Sequence, residues 1–559
     1  MANSFSTPGL PLTRVQIGTF NCNLQGASSA SPDLTHWLVP TISENSKEYN
    51  VDANADGRPA PDFYAVGFQE LLPLHDGFAN NVYAQTAIER TDRSIRRAIR
   101  PQSASTRKDG KYPQGGGPED YTLVATAQVV GIVLFVYARE RKPEVGLGSG
   151  INAIPSAVSR IKEIRTSTVS TGFFNLLGNK GAAGVRIVVG GAVPGSPDET
   201  FTFVCAHLTA HDHNVPRRNA DWKNIVSRLV FAPDSVQPLP PPPIDVSKRN
   251  TNDEKSLDGI TETYETAYSK NKKSKKAIPI DQKEHGVYET SHLFVFGDLN
   301  YRIGFNIKPS PILARKGSAA EKLTKKDVKR KINQADWKTL ATYDQLTIEH
   351  KHSDGPRTLH GLVEPPVTGF GFPPTYKYKI DKAQRKKAKE AVKKEKGDDS
   401  ADLEIIQPIP TGPNGFGELS GKRVPGWTDR ILWASVDRDD AFHGVQPELY
   451  RSIMRYTHSD HKPVTAILKL PPTSGKQLDS SLRPFAIDPT WRTKRSIGII
   501  MDRGVGFVWC ALVAAGAGNV LVGIAELVVV AVLSLWWIGV GGGQRGDVGY
   551  MLGNLFGRP

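Results

Sequence analysis

FGDLNYRIG, Phe296–Gly304, begins at the end of the apolar run Leu293–Phe296 and passes at once into Asp298 and Asn300. A short apolar run bounded by glycine reads as a buried strand, which puts that Asp and Asn at the rim of a sheet. PGWTDRILW (Pro425–Trp433) sets Asp429 just before a second such run, and HSDHKPV (His458–Val464) sets Asp460 and His461 just before a third. An Asp-Asn pair, a single Asp and an Asp-His pair converging from strand ends can hold a metal ion, activate water and contact a phosphate. The three phrases together point to phosphoester chemistry on an α/β scaffold.

Outward from these phrases, eight runs read as strands: Val15 to Asn21, Asp62 to Phe68, Gly131 to Tyr137, Gly184 to Val189, Thr200 to Cys205, Leu293 to Phe296, Arg430 to Ser435 and Val464 to Leu470. Helical periodicity is clearest over Arg217 to Phe231, where Trp222, Ile225, Val226 and Leu229 share a face. It recurs over Gln334 to Leu346, with Trp337, Leu340, Tyr343 and Leu346. Strands interrupted by helices predict packed sheets with helices outside.

Four upstream phrases complete the set: FNCNLQG (Phe20–Gly26), GFQE (Gly67–Glu70), GNKGAAGVR (Gly178–Arg186) and CAHLTAHD (Cys205–Asp212). In this order, from about Val15 to about Leu470, the chain resembles the inositol polyphosphate 5-phosphatases of the DNase I-like metal-dependent phosphoesterase superfamily, and in its tail the tail-anchored fungal phosphoinositide 5-phosphatases. The resemblance implies two packed, mostly antiparallel sheets flanked by helices, a four-layer sandwich, with a C-terminal transmembrane helical anchor. It implies a Mg²⁺-dependent phosphatase that removes the 5-phosphate of phosphatidylinositol 4,5-bisphosphate to give phosphatidylinositol 4-phosphate. The rival expectations are another phosphoesterase of the superfamily, a nuclease or sphingomyelinase, and a lipid-binding membrane protein without catalysis.

The resemblance also assigns roles. Glu70 is the expected Mg²⁺ ligand with Asn21 beside it, because a hard cation takes oxygen donors. Asp298 is the expected base for the attacking water, and Asn300 a donor to the phosphate oxygens. His461 contacts the scissile phosphate, with Asp429 fixing its tautomer and favouring its charged form. His207 is a second phosphate contact, Asp460 completes the network around metal and water, and Lys180 is read as structural. Tyr376 and Lys377, in a TYKY phrase, with Lys422 and Arg423, grip the neighbouring 4-phosphate through charge-assisted hydrogen bonds. Gly421 stands where the family usually has Lys, and Gly426 and Thr428 replace its commoner Ala and Cys.

The formal net charge of +14 predicts attraction to polyanions. Phosphoinositide membrane lipids are the expected partners; no nucleic acid is expected, and protein partners are not legible. Cys22, Cys205 and Cys510 are widely spaced and form no metal-ligand pattern, so they read as buried thiols in a reducing compartment. From Gly504 to Val540 only Asn519 and Glu526 are strongly polar, and a bilayer core takes about 20 helical residues to cross. The expected organisation is a tail 1–14, a catalytic domain 15–472 with insertions near 233–285 and 378–420, a linker 473–503, an anchor 504–540 and a tail 541–559. The resemblance places the anchor in the endoplasmic reticulum membrane with the catalytic domain in the cytosol. The basic run from Tyr376 to Lys396 reads as a solvated face or as a contact to anionic lipid, where each Lys contributes about 1 kcal/mol. In a chain shortened to remove the anchor 504–540, neutralising its lysines is expected to weaken liposome binding; unchanged affinity leaves the solvated-face reading.

Overall fold

The computed structural model describes residues 12–24, 31–32, 34–39, 60–99, 120–140, 156–191, 195–240, 281–305, 307, 322–351, 358–365, 371–380, 386, 390, 404–405, 418–420, 423–436, 443–514 and 531–532. Among them are thirteen strands: β1 (Thr13–Asn21), β2 (Ser31–Pro32), β3 (Phe63–Gln69), β4 (Asp120–Val129), β5 (Ile132–Glu140), β6 (Ile161–Ser170), β7 (Gly181–Val189), β8 (Glu199–His207), β9 (His292–Asp298), β10 (Glu404–Ile405), β11 (Asp429–Ser435), β12 (Gln446–Ser452) and β13 (Val464–Leu470).

Strand β3 shows why the layers form. All seven of its residues are buried, and side chains alternate between the two faces of a strand. Phe63 and Ala65 join a cluster with Phe203, Phe294 and Trp433 of the other sheet. Tyr64, Val66 and Phe68 join a different cluster, with Trp37 and with Ala84, Ala87 and Ile95 of helix Val82–Ile99. A strand apolar on both faces must be covered on both, so this sheet lies between a second sheet and a helical layer.

That sheet has six strands in the order β12-β13-β1-β3-β5-β4, and the second has five in the order β11-β9-β8-β7-β6. Each contains one parallel pair, β1 with β3 and β8 with β9, and is otherwise antiparallel. On the outer face of the five-stranded sheet, Val204, Val295 and Leu432 meet Trp222, Ile225 and Val226 of helix Val215–Arg228. The result is the helix-sheet-sheet-helix sandwich that the resemblance implies. The sheets approach closely at Gly67, where a Cβ would stand 2.6 Å from Cys205 Sγ and 2.7 Å from the Phe296 ring.

Each of the eight expected strands is present. Three longer ones were not legible, β4, β6 and β12, and each is a sheet edge. Edge strands pack on fewer sides and keep polar residues: β12 is half-buried along most of its length and carries Pro447, Glu448 and Arg451. The expected helix over Gln334 to Leu346 is two helices, Trp337–Ala341 and Gln345–Lys351. Asp336 caps the first by accepting from the Thr339 N–H at 3.2 Å. Between them Asp344 leaves helical geometry to take the buried Arg430 guanidinium at 3.0 Å.

The segment expected as a linker, 473–503, is instead folded onto the domain. Leu478 and Leu482 are buried in the outer cluster of the five-stranded sheet, and a continuous helix begins at Trp491 and runs to Ala514. By length and composition it is apolar enough to cross a membrane over Trp491–Val513, yet one side of it lies along the folded domain. Cys22 and Cys205 are buried thiols, whereas Cys510, on this helix, is half-buried. Gly67→Ala is expected to cost about 1–3 kcal/mol by overpacking the gap between the sheets. Urea denaturation measures it, and an unchanged midpoint would show slack there.

Candidate active site

The site is the polar end of the apolar core. Along β8, β9 and β11 the inward-facing residues run Phe203-Cys205-His207, Phe294-Phe296-Asp298 and Trp433-Ile431-Asp429, the apolar members belonging to the core between the sheets. The ladders place His207 opposite Asp298 and Asp298 opposite Asp429, so three ionisable side chains stand in one row on one face. From the other sheet β1 delivers Asn21, whose Nδ2 donates to Asp298 Oδ2 at 3.0 Å. The layer below is already polar: Gln69 Nε2 donates to Thr19 Oγ1 at 3.1 Å and meets Cys205 Sγ at 3.1 Å.

Two backbone details fix this row. Gly297 has φ +143°, and a Cβ there would lie 1.9 Å from the Ala206 carbonyl oxygen, so glycine lets β9 close on β8 one residue before Asp298. Glu70, immediately after β3, has φ +50°, a left-handed conformation that costs a non-glycine residue about 1–2 kcal/mol. In the β1/β3 register Asn21 faces Gln69, so this turn leaves Glu70 beside Asn21, with its Oε1 3.9 Å from His207 Nε2.

His461 enters from the segment before β13. Its Nδ1 donates to Asp429 Oδ2 at 2.9 Å, and its Nε2 lies 3.8 Å from Asp298 Oδ2. Burial disfavours the imidazolium, but the charges of Asp429 and Asp298 outweigh it and push His461 up to about 9. Burial would also raise Asp298; the charge of His461, the hydrogen bond to His207 and the charge of Lys180 win there and hold it far below the usual carboxylate range. Burial dominates at Asp429, which is raised. Thr375 and Thr428 hydroxyls donate to its Oδ2 at 2.7 and 2.9 Å. The His461 imidazole thus stands between the side chains of Asp298 and Asp429, its charged form favoured by both.

These groups also bear on metal binding. Ligand atoms of Asp298, Asp429 and His461 lie within 4.8 Å of one another and could themselves take part in holding a cation; their contacts to one another make the trio an internal ion-pair cluster. Glu70 and Asn21 adjoin this cluster and offer oxygen donors, although Asn21 Oδ1 already accepts from the Asn23 N–H at 3.0 Å. They supply a carboxylate and an amide oxygen, and the Glu70 side chain is 32% exposed, leaving room for water and a phosphate oxygen. This is a donor set for Mg²⁺ or Ca²⁺.

The remaining residues fall into place unevenly. Asn300, at φ +58°, donates its backbone N–H to Asp298 Oδ1 at 3.1 Å and its Nδ2 to the Leu208 carbonyl at 3.0 Å. Its Oδ1 accepts from Arg302 at 3.0 Å, so its amide already braces the site. Asp460 is bound to the Lys377 ammonium, and its charge also acts on His461. Tyr376 packs against His461 with ring centroids 4.5 Å apart and planes tilted by 36°, and lies under the Arg302 guanidinium at 4.7 Å. Arg423 is exposed, with its charge acting on His211. Lys422 lies outside the described residues.

Two residues of the site were not anticipated. Lys180, read as structural, contacts His207 Nε2 through its Nζ; burial lowers its pKa. The signal was its position just before Gly181, which pairs with His207 across β7 and β8. Arg302 lies two residues beyond Asn300, past the end of β9 and its left-handed turn, so strand periodicity gave no cue to it.

The model of Endonuclease/Exonuclease/phosphatase family 2 matches residues 18–467. Among curated relatives, Synaptojanin-2 of Rattus norvegicus is 24% identical over 486 residues, covering 82% of this chain and 22% of that protein. Inositol-1,4,5-trisphosphate 5-phosphatase 1 of Schizosaccharomyces pombe is 24% identical over 453 residues, covering 81% of this chain and 27% of that protein. The chain thus spans about a quarter of the length of these relatives. A crystal structure of the inositol polyphosphate 5-phosphatase domain of SPsynaptojanin, in complex with inositol (1,4)-bisphosphate and calcium ion, is similar at a TM-score of 0.45 and 20% identity, covering 89% of this chain and 91% of that one.

His461 is raised from the ordinary 6.5 to about 9 on folding, so its contribution to stability is complete below about 6.5 and is lost as pH rises through about 9. In Asp429→Asn the main source of that rise is gone, and NMR titration of the His461 ring is expected to show a midpoint moved back toward 6.5. An unmoved midpoint would mean that Asp298 alone holds the charge.

Proposed function

Because this chain belongs to Endonuclease/Exonuclease/phosphatase family 2, we propose that it is a phosphoric monoester hydrolase that removes the 5-phosphate of phosphatidylinositol 4,5-bisphosphate to give phosphatidylinositol 4-phosphate. The observation that carries the reading is the single row His207-Asp298-Asp429, closed by His461 and faced by Asn21 and Glu70. Resemblance to the inositol 5-phosphatases supports the substrate class.

Glu70 and Asn21 would hold Mg²⁺, which when bound supplies Lewis acidity, neutralising phosphate charge and lowering the cost of forming hydroxide. Asp298, ionised throughout the physiological range, orients the attacking water and accepts its hydrogen bond. His461 and Lys180 place positive charge where the transferring phosphoryl oxygens accumulate negative charge. Asp429 keeps His461 in its donating form and aims Nε2 at the site. Asn300 sets Asp298 through its backbone N–H, a positioning role. Lys377, held by Asp460, and Arg423 present cations at the entrance for the adjacent 4-phosphate, where an Arg fork or a Lys point charge pairs with phosphate oxygens. Lys422 is proposed as a third contact on resemblance alone.

The apolar C-terminal run is proposed to anchor the protein in the endoplasmic reticulum membrane, with the catalytic domain on the cytosolic side. The inositol 5-phosphatases among the relatives favour the inositide reading over the nuclease rival, since cations at the entrance would suit either substrate.

The test is phosphate release by the full chain from short-chain phosphatidylinositol 4,5-bisphosphate, with Mg²⁺ and with chelator. Asp298→Asn is expected to lower the rate at least about 100-fold, as for loss of a group acting in general acid-base chemistry. Cleavage of DNA to shorter fragments, with no phosphate released from the lipid, would establish the nuclease reading. Lipid binding without turnover would establish the binding-only one.

A further inference from the structure

Helix Trp491–Ala514 has two faces of opposite character. Its inner stripe grips the two segments that carry site residues. Asp502 Oδ1 accepts from the Gly178 N–H at 2.8 Å, two residues before Lys180. A Cβ on Gly498 would lie 2.8 Å from the Leu176 carbonyl oxygen. On the other segment Arg503 Nη1 donates to the Phe78 carbonyl at 3.1 Å, Cys510 Sγ lies 3.6 Å from the His75 carbonyl, and a Cβ on Gly506 would stand 2.1 Å from Ala79 N. Both glycines are needed for backbone contact, so the helix is seated on helix Leu74–Ala79, which follows Glu70, and on the turn that precedes β7.

The outer face changes composition along its length. Arg492, Thr493, Lys494 and Ser496 occupy its first turn and a half, with Arg492 paired to Asp234 and Glu284. From Ile497 onward the exposed side chains are apolar, led by Ile500 at 70% and Phe507 at 63% exposure. A polar start followed by an apolar outer face is the profile of a helix that leaves water. The apolar sequence continues to Val540 with only Asn519 and Glu526 strongly polar, a length that a soluble partner does not require and a bilayer does. The helix itself cannot cross, because its inner face is committed to the domain and holds Asp502 in a hydrogen bond.

We propose that the outer face of Trp491–Ala514 lies in the surface of a lipid bilayer, and that its attachment to the segments bearing Lys180 and Glu70 holds the mouth of the site at a fixed orientation to that surface. The helix is then a rigid mount, where the sequence suggested a linker followed by an anchor. The consequence for lipid hydrolysis rests on the phosphoinositide reading; the seating of the helix does not.

The test uses the full chain in phosphatidylcholine vesicles containing phosphatidylinositol 4,5-bisphosphate. Fluorophores are placed at Ile500→Cys, Phe507→Cys and, as a control on an exposed position elsewhere, Lys338→Cys, each in a Cys510→Ala background. Positions 500 and 507 are expected to be quenched by nitroxide on the lipid acyl chains and shielded from iodide, with position 338 open to iodide. Iodide access at 500 and 507 would overturn the proposal. Shielding without acyl-chain quenching, relieved by diluting the protein among vesicles, would overturn it in favour of a second copy on this face. Ile500→Glu with Phe507→Glu is expected to slow hydrolysis of vesicle lipid roughly fivefold or more by loss of orientation, with the rate on the soluble headgroup unchanged. Equal loss on both substrates would make the face merely structural and sink the mount. No activity of the wild type on either substrate would sink the phosphoinositide reading alone, leaving the quenching result to decide the helix.

Discussion

The register between β8, β9 and β11 is the constraint from which the site follows. Parallel pairing of β8 with β9 and antiparallel pairing of β9 with β11 bring His207, Asp298 and Asp429 abreast on one face. A slip of one residue in either ladder would turn one of these side chains to the opposite face, against the helical layer. The slip is prevented by the apolar members of the same rows: Cys205, Phe296 and Ile431 are fully buried between the sheets, and moving any of them outward would empty the core. Packing energy distributed over the whole sandwich thus fixes the position of a few polar groups at its end.

Burying so much charge is expensive unless charges pair. Here the carboxylates of Asp298 and Asp429 share the His461 imidazolium, and Asp298 also has His207 and, through it, Lys180 nearby. Removing any one partner leaves another charge buried without compensation, so the cluster behaves as a unit and its protonation belongs to the whole set. The threonines on Asp429 Oδ2 and the Asn21 amide on Asp298 satisfy lone pairs that would otherwise cost stability, while Asp429 Oδ1 stays buried without a hydrogen-bond partner. The geometry that suits catalysis is therefore also the geometry that makes the charge tolerable.

The turns beyond the strand ends have a different origin. Glu70 and Asn300 adopt positive φ, and each lies one or two residues past a strand whose direction is dictated by the core. The strand supplies the position and the strained turn supplies the aim. Helix Trp491–Ala514 adds to the same end of the molecule by resting on the segments after Glu70 and before Lys180.

Strands buried on both faces were legible because their sequences are nearly continuous apolar runs, as FYAVGFQ in β3 shows, and the phrases at their ends exposed Asp298, Asp429, His461 and Glu70. Edge strands β4, β6 and β12 were not, since polar residues interrupt the apolar signal where a strand packs on fewer sides. Lys180 looked structural because its glycine neighbours spoke of backbone approach; only the β7/β8 register showed that approach leading to His207. The pairing of Asp460 with Lys377 likewise depends on two segments 83 residues apart in sequence meeting in space. By itself, then, the sequence determined the α/β class, the central strands and the types of residue at their ends, because burial and periodicity are local properties of a chain. Which of those side chains touch, which charges cancel, and that the C-terminal helix lies on the domain were decided only by the tertiary structure, because they depend on registers and crossings between segments distant in sequence.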